Sequence, residues 1–147
     1  MPAPFTLSEE ALVETRRVDA TMISEPSSKE LQMRYAMLVY ETEAGVKGRS
    51  DPEYQAAYKA YIDAIYGTGV AVGGSGLEDA STATTFRLVD GKRQIQDGPF
   101  PDTKEQLAGF FLIDVPDLDR ALEWAARCPS TARGGIVELR PALEQPT

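Results

Sequence analysis

Residues 51–65 limit the fold more than any other stretch. Asp51-Pro52 opens this segment as helix cap and first helical residue. Its apolar residues Tyr54, Ala57, Tyr58, Tyr61, Ile62 and Ile65 follow i, i+3, i+4, i+7, i+8, i+11, which makes a single stripe. A helix with one apolar stripe has to bury it on another element. The sequence just before it supplies one, since residues 34–40 are nearly continuous in apolar character, as a buried central strand requires. Glycines 67 and 69 stop the helix.

The rest of residues 33–143 repeats the pairing of strand and helix. The segment 41–49 holds two glycines and mixed charge and reads as a loop, and 73–77 reads as a glycine-rich turn. Residues 81–89 are rich in β-branched side chains. Asp90-Gly91 predicts a tight hairpin returning through an exposed strand, 92–96. A loop, 97–106, leads into a second buried strand, 107–115. A second helix starts at Pro116-Asp117, shows Leu118, Ala121, Leu122 and Ala125 on one face, and ends at Pro129, before a last strand at 136–140. The order β, α, β-hairpin, β, α, β places two helices on one face of an antiparallel sheet, an α+β arrangement. The sheet's other face then needs a partner to cover its apolar residues, so homodimerisation is expected.

Residues 1–32 read differently, as an N-terminal extension with a short helix from Ser8 and a linker at 25–29; residues 144–147 are a tail. The chain of 147 residues is long enough for one well-filled core. No stretch approaches the roughly 20 apolar residues that span a bilayer, and the N-terminus lacks the pattern of a signal peptide. A single cysteine, Cys128, suits a reducing cytoplasm and reads as a small apolar filler at a helix end.

Composition narrows the chemistry. With a formal charge of −8 and no basic run beyond pairs such as Arg16-Arg17, nucleic acid is a poor partner. The chain has no histidine. That removes the usual general base near neutral pH and the commonest metal ligand, and excludes Ser-His-Asp and Cys-His triads within one chain. No metal or other cofactor is expected.

The segment Asp97-Gly98-Pro99-Phe100-Pro101-Asp102-Thr103-Lys104-Glu105 resembles the Asp-Gly-Pro-Phe signature of the YCII-related (YciI-like) domain family. The runs at 73–77, 82–85, 114–129 and 137–141 match in order. The resemblance implies a ferredoxin-like fold that pairs into a dimeric α+β barrel, with a cleft between helices and sheet. It also implies two functional settings. Some relatives are lyases or isomerases of small unsaturated acids, for which a His-Asp pair is proposed; without histidine that pair has no counterpart here. Relatives in the Asp-Gly-Pro-Phe branch are associated with extracytoplasmic-function sigma factors.

Asp97 and Glu105, at the two ends of the loop, are the candidate acid and base, because a carboxylate in a partly apolar cleft can move protons near neutral pH. Their structural alternative is a turn cap and a surface ion pair. Lys104 and Arg87 are candidates to hold a substrate's charge, and Thr103 to donate a hydroxyl hydrogen bond. Phe100 reads as a loop anchor in the core, with ligand contact as the alternative, and Tyr58 as core packing, with a hydroxyl that lines a pocket as the alternative. Two functions follow. One is a cleft for a small polar organic acid, with cofactor-independent proton transfer as its chemistry. The other is a non-catalytic module that binds a ligand or a regulatory protein partner.

Overall fold

The computed structural model describes residues 32–101 and 103–143. The expected helix at Ser8, the linker at 25–29, Asp102 and the tail at 144–147 lie outside them. The described residues form six strands and three α-helices: β1 (Met33–Thr42), α1 (Glu43–Lys47), α2 (Pro52–Gly67), β2 (Ala71–Gly76), β3 (Thr84–Val89), β4 (Lys92–Asp97), β5 (Glu105–Val115), α3 (Leu118–Arg127) and β6 (Ile136–Pro141). Strands β2, β5, β1 and β6 form one sheet in that order, and every neighbouring pair is antiparallel. The connections β1–α2–β2 and β5–α3–β6 are two interleaved split βαβ units, which is the ferredoxin-like arrangement.

The helices begin where their caps place them. The Asp51 carboxylate accepts from the Glu53 amide at 3.1 Å ahead of Pro52, and Asp117 accepts from the Arg120 amide at 2.9 Å. Alternation along the strands then sorts the core. Tyr35, Met37 and Val39 of β1 and Phe111, Ile113 and Val115 of β5 are buried on the helix side. They meet Tyr61 and Ile65 of α2 and Ala121 and Trp124 of α3. The Tyr61 hydroxyl donates to the Trp124 carbonyl at 2.8 Å, which joins the two helices. Ala36, Leu38, Phe110 and Leu112 fall on the opposite face. Cys128 is buried filler as its sequence position suggests.

Several expectations are corrected. The glycine run is no turn: it belongs to β2, an edge strand of the main sheet. Segment 41–49 holds the end of β1 and all of α1, whose cap is Thr42. The hairpin β3–β4 does not join the four-stranded sheet but forms its own. Its residues Phe86, Leu88 and Ile95 are 52%, 63% and 62% exposed, and by register they share one face. Helix stripes are also only partly buried. Ala57 and Ile62 of α2 and Leu118 and Leu122 of α3 are exposed, while Trp124 anchors α3 in the core.

Candidate functional site

The exposure of Ile62 has a local cause. Opposite α2, helix-facing positions of the sheet include Gly74, Gly76 and Gly109, which register with Phe111, Gly109 and Val39. Residues without side chains cannot fill the gap between a helix and a sheet, so a cavity of about 510 Å³ remains there. Tyr54, Tyr58, Ile62 and Tyr66 of α2 line one side, and the glycines, Val39 and Phe111 the other. That volume is within the range of roughly 300–1,000 Å³ found for small-molecule sites. Gly74 is obligatory: its φ is +143°, and a Cβ there would meet the Phe110 carbonyl oxygen at 2.3 Å.

The polar end of the cavity is an ion pair. Glu41, 4% exposed on the helix side of β1, accepts from Arg49 Nε at 3.1 Å through Oε1. Its Oε2 accepts from the Tyr54 hydroxyl at 2.6 Å and the Ser130 hydroxyl at 2.9 Å. Arg49 is held at two more points, donating from Nη1 to the Leu77 carbonyl at 2.7 Å and from Nη2 to the Ala108 carbonyl at 3.4 Å. A guanidinium carries five N–H donors, and these three bonds leave two uncommitted.

The proton inventory behind the aromatic wall is closed. Tyr54 and Ser130 each have one hydroxyl proton and both give it to Glu41. Their own 2.9 Å contact therefore carries none. Tyr58, 2.7 Å from Ser130 Oγ, must then be the donor of that pair. Ser130 reaches this position because Gly135 lets the backbone fold back: a Cβ at 135 would meet the Ser130 and Tyr40 carbonyl oxygens at 2.7 and 2.8 Å. Arg133 stacks on the Tyr54 ring with its guanidinium carbon 4.3 Å from the centroid and pairs with Asp51 at 2.6 Å, fixing the ring from outside.

Burial pushes the Tyr54 phenol up to about 12, helped by its bond to the Glu41 carboxylate. Burial raises Tyr58 and Tyr61 further still. The Cys128 thiol, 3.3 Å from the Tyr58 hydroxyl, is also pushed up by burial, so it is a poor thiolate nucleophile. Among the described residues there is no group of three or more Asp, Glu or Cys side chains arranged for a metal ion.

Of the residues singled out from the sequence, Tyr58 lines this cavity. The others are not part of its lining: they lie on the β3–β4 hairpin and the segment that follows it, all exposed except the half-buried Glu105. Asp97 ends β4 opposite Thr84, and Glu105 begins β5 opposite Thr42. The Thr103 hydroxyl donates to the Glu105 carbonyl at 2.5 Å, and Lys104 is exposed. Arg87 lies with its guanidinium carbon 5.7 Å from the Phe100 ring centroid. Phe100 is 67% exposed and so does not anchor the loop in the core. In the Asp97-Gly98-Pro99 turn, the Gly98 amide donates to the Ala83 carbonyl at 2.7 Å, and its carbonyl accepts from the Thr85 hydroxyl at 2.7 Å. These bonds close the hairpin.

Glu41, Arg49 and Ser130 escaped the sequence reading. Glu41 followed an apolar strand and looked like its exit into a loop. The signal available was its parity with Tyr35, Met37 and Val39, which puts it on the buried face.

The chain is 37% identical over 123 residues to an uncharacterized protein of Rhizobium meliloti (strain 1021), covering 78% of this chain and 96% of that protein. Residues 33–144 match the YCII-related domain, spanning all six strands and three helices described above. The chain belongs to the YCII-related domain family.

Proposed function

We propose that this domain binds a small organic acid in the cavity between α2 and the glycine strand. One observation carries the reading: Arg49, pinned at three points, borders an aromatic cavity with two N–H donors uncommitted. A guanidinium held in this way is preorganised for a planar oxyanion. Binding is favoured over proton transfer because Glu41 already accepts three hydrogen bonds and the neighbouring phenols hold their protons.

We take the domain to act as a homodimer through the open sheet face, where Leu38, Phe110 and Leu112 are gathered. A regulatory role, in which a protein partner reads the liganded state, draws support from a different surface: the apolar hairpin face of Phe86, Leu88 and Ile95.

The test is a thermal-shift screen of organic acids on the wild type, Arg49→Lys, and an Asp97→Asn, Glu105→Gln double variant. A ligand at 100 times its Kd stabilises by about 2.7 kcal/mol, a shift of several degrees. The expected hit survives in the loop double variant and is lost in Arg49→Lys. The opposite pattern would move the site to the Asp97–Glu105 loop, and no hit with any acid would end the reading.

A further inference from the structure

We infer that the ligand is a flat, ring-bearing carboxylic acid, lying in a slot with its carboxylate on Arg49 and its ring over the glycines of β2 and β5. The inference rests on the cavity being the ligand site and deepens it to a chemical class. Shape argues for flatness. On the sheet side Gly74, Gly76 and Gly109 present bare peptide planes, and on the helix side Tyr54, Tyr58, Ile62 and Tyr66 form the wall. Two neighbouring strands that together give up three side chains on one face let another group approach their backbone closely. A planar ring can stack on such a surface and meet aromatic edges opposite it. Along this wall the Tyr54 and Tyr58 rings already pack edge to face, at 85° with centroids 5.3 Å apart.

Donor accounting argues for the carboxylate. The Tyr54 proton goes to Glu41, the Tyr58 proton to Ser130, and the Ser75 hydroxyl proton to the Gly76 carbonyl at 2.8 Å. Gln55 Nε2 donates to the Arg49 carbonyl at 3.0 Å. The lining donors left uncommitted by these bonds include the two N–H groups of Arg49, which suit an acceptor with two oxygens. Glu78, the other acidic residue on the lining, is exposed to solvent.

Gly76 offers a clean way to close the slot. Its φ is ordinary, and a Cβ there meets no atom within 4 Å, in contrast to Gly74. The full chain is titrated with 2-naphthoate, its neutral counterpart 2-naphthalenemethanol, and saturated decahydro-2-naphthoate, with binding followed by ligand-observed NMR and calorimetry. Titrations are repeated on Gly76→Phe and, from the opposite wall, on Ile62→Trp, each checked for an unchanged circular dichroism spectrum.

The expected result is that 2-naphthoate binds about tenfold or more tighter than either comparison compound, as loss of a designed polar or stacking contact requires. Either wall variant that keeps its fold should abolish that binding. Equal binding of the saturated acid overturns the flat-ring inference, and equal binding of the alcohol overturns the carboxylate; in both cases the cavity survives as a site if the wall variants still block it. Binding of 2-naphthoate that both wall variants leave intact, or no binding by any of the three, overturns the inference together with the cavity reading beneath it.

Discussion

Replacing Arg49 by Met tests whether the ion pair at the cavity's polar end is structural as well as ligand-reading. The substitution leaves Glu41, whose side chain is 5% exposed, with two hydroxyl donors and no counter-charge. It also strips a donor from the Leu77 and Ala108 carbonyls. Breaking a fully buried pair costs about 3–5 kcal/mol. The Arg49 side chain is 32% exposed, so solvent screens part of the interaction and the expected cost falls to about 2–3 kcal/mol. For a chain of this size each kcal/mol moves Tm by about 3–4 °C, which gives a drop of about 6–12 °C. Adding Glu41→Gln removes the stranded charge, so the double variant should recover about 1–2 kcal/mol relative to the sum of the single changes. Urea unfolding measures all four proteins at constant m. A single variant within about 0.5 kcal/mol of wild type, or strictly additive costs, would refute the account of Glu41 as a buried carboxylate that depends on Arg49.

Three further outcomes are expected. Gly74→Ala forces a Cβ against the Phe110 carbonyl at a positive φ, and should destabilise by about 2–4 kcal/mol, whereas Gly76→Ala should stay within about 1 kcal/mol of wild type; denaturant midpoints decide. The buried phenols make the fold sensitive to base. A phenol raised in the folded state contributes stability that is complete below its unfolded value, near 10. That stability is lost as pH rises toward the folded value, about 12 for Tyr54. Ultraviolet titration at constant temperature should therefore show Tyr54 ionising together with unfolding, and Tyr54→Phe should flatten the loss of stability between pH 10 and 12. By contrast, the double variant Asp97→Asn, Glu105→Gln should keep wild-type stability within about 0.5 kcal/mol, because Asp97 is exposed and Glu105 is held through its backbone; a larger loss would show that the hairpin base depends on these carboxylates.

The amino-acid sequence by itself determined the local elements and their order. Asp51-Pro52 and Asp117 capped helices where they were expected, because capping is decided by a side chain and the amides next to it. The runs at 34–40 and 107–115 became central strands because their apolar character has no other way to be buried. Asp97-Gly98-Pro99 was legible as a turn, which is how its glycine is used at the hairpin base. Only the tertiary structure decided that the glycine run is an edge strand. A strand with few side chains gives no periodicity, and it forms because β5 supplies its hydrogen bonds. The same long-range pairing made the cavity, which exists because α2 lies over residues that cannot fill the space beneath it. It also joined Glu41, Arg49 and Ser130, which are separated by up to 89 positions. No local pattern marks such a set, since the energy that holds a buried carboxylate comes from donors the chain brings back from elsewhere.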